Sequence, residues 1–108
     1  MAGAGDVYLR AAPLLDAVRS AAPTDPDLNE LWSTNLRQRL TVLSVFAQAL
    51  ARKTPMRDGM TADTAADIAL AILSPETYTL LVRERQWTHD AWQKWAENAL
   101  TGLLTTLP

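Results

Sequence analysis

The sequence predicts an all-α bundle of about five helices, because apolar residues recur at helical spacing, no stretch alternates as a strand would, and helix-start signals punctuate the chain. Asp25-Pro26-Asp27, Thr61 and Ser74-Pro75-Glu76 are three such starts. In each, a side-chain oxygen stands where it can accept from free amides, with proline or an acid behind it in the first turn. A fourth start, Thr88 with Asp90, has Trp87 before the cap and Trp92 four positions inside. That is the spacing of a hydrophobic staple.

In chain order, Met1–Gly5 has no periodicity. Val7, Ala11, Leu14, Leu15 and Val18 then predict a helix over about residues 6–21 with Asp6 at its start, and Pro13 predicts a kink or a start displaced to near Ala12. Pro26 to about Lys53 is the longest helix, ~40 Å at about 1.5 Å per residue. Its first half carries a stripe of Leu28, Leu31, Trp32 and Leu36. Its second half, with Leu40, Val42, Leu43, Val45, Phe46, Ala47, Ala49 and Leu50, is apolar around most of its circumference, which predicts a rod through the middle of the domain. Arg37, Thr41, Ser44 and Gln48 form a polar line, read as a solvated face or as groups aimed into a cavity. Arg52 and Lys53 suit the C-terminal end, and Thr54-Pro55 with Arg57-Asp58-Gly59 breaks the chain.

Thr61 opens a short helix to Leu73 with a small-residue face of Ala62, Ala65, Ala66 and Ala69. The last third reads as a helical hairpin. Tyr78, Leu81, Val82 and Arg85 share one face of its first arm, and Trp92, Ala96, Ala99, Leu100, Leu103 and Leu107 form one stripe on the second.

The chain has 108 residues, a formal charge of −2, no cysteine and one histidine. This length makes a single domain, 1–108, and the charge leaves no basic footprint for nucleic acid or membrane. Disulfides and thiolate metal sites are excluded, and the single histidine leaves little for a metal cluster. No apolar run approaches the ~20 residues of a membrane span, and the N-terminus lacks a signal peptide's pattern. A soluble, cytoplasmic chain without cofactor or metal is expected. His89 reads as a surface histidine. Glu76, Glu84 and Glu97 form no acid/base pair, so no enzyme is expected. Arg39, on the face between Trp32 and Leu43, reads as paired with a carboxylate, snorkelling to water, or meeting an anionic ligand.

From Asp6 to Leu107 the chain resembles the C-terminal regulatory domain of TetR-type transcriptional regulators. The resemblance is carried by Tyr8-Leu-Arg-Ala-Ala-Pro13-Leu-Leu, by Asp25-Pro-Asp-Leu28 with Leu31-Trp32 and Arg39, by Ala65-Ala-Asp67 leading to Leu73-Ser-Pro-Glu76, and by Tyr78, Leu80-Leu-Val-Arg-Glu-Arg85 and Trp87. It implies a domain that binds an effector and dimerises through its last two helices, in a family whose helix-turn-helix DNA-binding domain precedes this stretch. That DNA-binding domain is absent from these residues, so the chain is read as binding no nucleic acid directly. The resemblance also implies a glycine where Gln86 stands and a tryptophan where Leu70 stands. The homodimer contact it implies comprises Tyr78, Leu81, Val82, Trp92, Trp95, Ala96, Ala99 and Leu103. Opposite Ala65 and Ala69, either the helices approach closely or a cavity remains. With the resemblance, that gives a small lipophilic effector a site among Trp32, Arg39, Leu43, Phe46, Ala47, Leu50 and Ala69. The alternative reading is a stand-alone helical dimerisation module that binds a full-length relative or another protein.

Overall fold

The computed structural model describes residues 2–107, with side chains from Ala12 onward. Among them are four α-helices of two turns or more: α1 (Ala2–Ala21), α2 (Pro26–Lys53), α3 (Ala62–Ile72) and α4 (His89–Leu104). The fifth expected helix is not regular. Pro75–Tyr78 makes one α-turn and passes directly into a π-helical stretch, Thr79–Glu84.

The starts lie where local chemistry puts them. Asp25 accepts from the amides of Asp27 and Leu28, Thr61 from Thr64, Ser74 from Thr77 and Thr88 from Ala91. Each bond satisfies amides that the helix itself leaves free. α1 begins at Ala2, ahead of the start expected at Asp6, and runs on through Pro13. The side chains of Val7, Tyr8 and Ala11 lie outside the described residues. α4 stops at Leu104, short of the stripe expected to reach Leu107, which is 48% exposed.

Beyond α4 the backbone pairs with the loop after α2. Met56 and Thr105 form an isolated antiparallel bridge, the amides of Arg57 and Thr106 donate to the carbonyls of Leu104 and Pro55, and Arg57 Nε donates to the Gly102 carbonyl at 2.6 Å. This clasp holds the C-terminus against the α2–α3 connection, where Gly59 makes the turn at φ +78°.

Two apolar clusters hold the helices. In the first, Ala12 of α1 meets Tyr78, Trp92 and Ala96, flanked by Ile72, Leu73, Leu81, Val82 and Trp95. In the second, Ala47 of α2 meets Ala65 and Ala66 of α3 and Leu104 of α4. All four are at most 1% exposed, as is Ala69. The alanines of α2 and α3 therefore act by close approach, without a cavity between them.

That packing corrects the expected path of α2. Leu40, Leu43, Ala47 and Leu50 face the second cluster, whereas Val42, Val45 and Phe46 on the opposite side are 66, 63 and 45% exposed. α2 is an edge helix. At about 42 Å long it sets the longest dimension of the molecule, 43 × 29 × 22 Å. The radius of gyration, 14.8 Å, exceeds the ~13 Å of a compact chain of this length.

One apolar run is longer than the sequence reading allowed. Ala62–Glu84 has the length and composition of a membrane span, with a mean hydropathy of 1.3. The run is broken, because Leu73 ends α3 and Ser74 caps the next turn.

The π stretch closes on Gln86. Its φ of +60° is the left-handed conformation that favours glycine, the residue expected at this position. The turn lets the Trp87 amide donate to the Leu81 carbonyl at 2.9 Å and reverses the chain into α4. Gln86→Gly is expected to raise the free energy of unfolding by about 0.5–1 kcal/mol, read by equilibrium urea unfolding. A loss of stability would show that the glutamine side chain contributes more than its backbone strain costs.

Candidate functional site

The groove of interest lies along α2 near its middle. Asn35, Gln38, Arg39, Val42 and Leu43 line it from α2, and Leu73, which caps α3, closes one end. Its volume is about 310 Å³, at the small end of the roughly 300–1,000 Å³ typical of small-molecule sites. One side stays open to solvent.

Arg39 is the charged group of this groove, and its surroundings fix it. Nε donates to Asn35 Oδ1 at 2.8 Å, and the guanidinium lies over the Trp32 ring, 5.3 Å from its centroid. Both partners sit on the same helix, one turn and two turns before Arg39. The cation is thus pre-oriented by the periodicity of α2. Among the described residues the only ion pair is Arg19–Asp16 at 2.7 Å, so of the three readings of Arg39 the carboxylate pair is not formed, and an amide and an indole hold the cation instead. Nη2 is buried with no hydrogen-bond acceptor. An unpaired buried donor costs about 1–3 kcal/mol.

The residues expected around an effector divide between this groove and the core. Arg39 and Leu43 line the groove, and Trp32 touches it through Arg39. Ala47 is sealed in the α2–α3 contact at 1% exposure with Leu50 packed against the same cluster, Ala69 is buried within α3 at 0%, and Phe46 lies on the outer face of α2. Asn35, Gln38, Val42 and Leu73 were not expected at the site from the sequence. The first three follow from helical spacing around Arg39, whereas Leu73 is brought there only by the docking of α3. The line of Arg37, Thr41, Ser44 and Gln48 is mostly solvated, with Thr41 donating to the Arg37 carbonyl and Arg37 to Thr34.

The residues expected at a dimer contact are largely used within the chain. Tyr78, Trp92 and Ala96 are 1, 4 and 3% exposed, buried against Ala12 of α1, and a partner cannot reach them in this fold. Leu81, Val82, Trp95 and Ala99 are half-buried, and Leu103 is 51% exposed. The staple is also rearranged. Trp87 packs edge-on against Trp95, with centroids 6.1 Å apart, while Trp92 turns inward to meet Tyr78 at 4.7 Å and His89 at 5.8 Å.

His89 is therefore not a surface histidine. It is half-buried, with Nδ1 3.0 Å from the Tyr78 hydroxyl. The Thr88 cap sets its position, one residue into α4. Among the described residues no three His, Cys, Asp or Glu side chains gather as metal ligands.

Burial raises the Tyr78 pKa above its usual value, because the phenolate loses its hydration there. A raised folded-state pKa means that the unfolded chain ionises first. The stabilisation from neutral Tyr78 is complete below the unfolded pKa near 10 and is lost as pH rises through the folded value. Tyr78→Phe is expected to flatten the alkaline decline in unfolding free energy, and to cost about 1 kcal/mol near neutrality through the lost bond to His89. Urea unfolding across the alkaline range checks both, and an unchanged decline would mean that Tyr78 ionises without unfolding the chain.

No protein-family model, curated protein or solved structure matches the chain.

Proposed function

We propose that the chain is a helical regulatory module that binds a small lipophilic anion in the groove on α2, the role implied by its resemblance to TetR-type regulatory domains. The observation that carries this reading is Arg39. Its guanidinium is pre-oriented beside Val42, Leu43 and Leu73 and has no carboxylate partner among the described residues. Apolar walls with one fixed cation suit a ligand that has a hydrocarbon body and a carboxylate head.

Ligand binding in this position acts on two elements at once. The groove spans α2 and the end of α3, so a ligand that prefers one setting of Leu73 against Leu43 shifts the population of that setting. Its effect on any attached partner is then limited by the difference in its affinity for the two settings.

Thermal unfolding with medium-chain carboxylates, and with the alcohols of the same chain length, tests the reading. At a hundred times the dissociation constant a ligand adds about 2.7 kcal/mol to stability, and the carboxylates should exceed the alcohols. Arg39→Gln should weaken carboxylate binding by roughly 10- to 100-fold, the loss of one charge-assisted pair, and leave the alcohols unaffected. Leu43→Trp should block both. If no carboxylate stabilises the chain, or if Arg39→Gln leaves the preference intact, the groove is not an anion site.

A further inference from the structure

The outer face of α2 carries a heptad pattern most of which is exposed, with Leu28 and Asn35 half-buried. Leu28, Leu31, Asn35, Gln38, Val42 and Val45 follow one another in alternating steps of three and four, the spacing of a coiled-coil seam. Leu31, Val42 and Val45 are 54, 66 and 63% exposed, and Phe46 beside them is 45% exposed. The molecule presents 7049 Å² of surface, against the ~5,900 Å² expected of a compact monomer of its mass. The excess is comparable to the ~800 Å² that each partner buries in a specific complex.

We propose that a second copy of this chain packs antiparallel along this seam. Charge sets the orientation. Asp25, Asp27 and Glu30 mark the N-terminal end of α2, and Arg52 and Lys53 its C-terminal end. Parallel pairing would place acid beside acid and base beside base, whereas antiparallel pairing brings each acidic end toward the partner's basic end and opposes the helix dipoles.

The seam's own pattern then selects a register. With Asn35 across from Gln38 of the second copy beside the two-fold axis, Leu31 falls across from Val42 of the second copy and Leu28 across from Val45 of the second copy. Amide meets amide and apolar meets apolar over ~26 Å of helix. A polar pair in an otherwise apolar seam specifies register at some cost in stability. The dimer is accordingly reversible.

This contact is distinct from the terminal hairpin, and it does not depend on a ligand. Leu31 and Val45 lie outside the groove, while Asn35, Gln38 and Val42 line it, so the second copy meets the groove along the α2 wall.

Sedimentation of the full chain across the micromolar range tests the proposal. The wild type should pass from monomer to dimer with rising concentration. Leu31→Glu and Val45→Glu, both at exposed sites, should keep the helical circular dichroism and raise the dissociation constant at least about tenfold. Leu103→Glu on the hairpin should leave it unchanged. Because the chain has no cysteine, orientation can be read by oxidative cross-linking. A mixture of Leu31→Cys and Val42→Cys chains should cross-link, and neither alone should do so. A wild type that stays monomeric, a dimer that survives both glutamates, or self-cross-linking of either single-cysteine chain would overturn the proposal.

Discussion

The arrangement of this protein depends on the contact between the alanines of α2 and α3. Ala47 on one helix and Ala65 and Ala66 on the other have side chains too short to hold two helices apart, and all are at most 1% exposed. Such backbones approach closely and gain dispersion contacts, but each alanine buries little apolar area. The consequence is geometric. α3 is short and tight against one side of α2, α1 and Leu104 occupy neighbouring ground, and among the described residues Val42 and Val45 on the opposite side stay exposed.

Much of the local structure was legible from the residues. The starts at Pro26, Ala62, Pro75 and His89 follow from Asp25, Thr61, Ser74 and Thr88, because capping is chemistry between neighbours in the chain. The close approach of α2 and α3 was one of two readings that the alanine face allowed. What could not be read was set by residues far apart in sequence. The apolar circumference of α2 pointed to a central rod, because composition cannot say whether enough neighbours exist to surround it. His89 looked like a surface residue until the π stretch brought the Tyr78 hydroxyl to its ring. Trp87 and Trp92 had the spacing of a staple, yet Trp92 meets Tyr78 and Trp87 meets Trp95.

The candidate site shows the same division. Arg39 and Leu43 could be named from their face of α2, and Trp32 from its helical register. The wall supplied by Leu73 depends on where α3 ends, and the loss of Ala47 and Ala69 from the site depends on how closely the helices pack. The groove and the uncovered seam are two results of one cause. A helix held tightly on one face by small residues has its remaining faces free for a ligand and for another copy.

Equilibrium unfolding of Ala65→Leu tests this account at its centre. Ala65 is wholly buried in the cluster that holds Ala47, so three additional heavy atoms have no space unless the helices separate. A loss of about 1–3 kcal/mol is expected, as for overpacked cores. Unchanged or increased stability would mean that a void lies between α2 and α3, and the close contact from which the rest follows would be wrong.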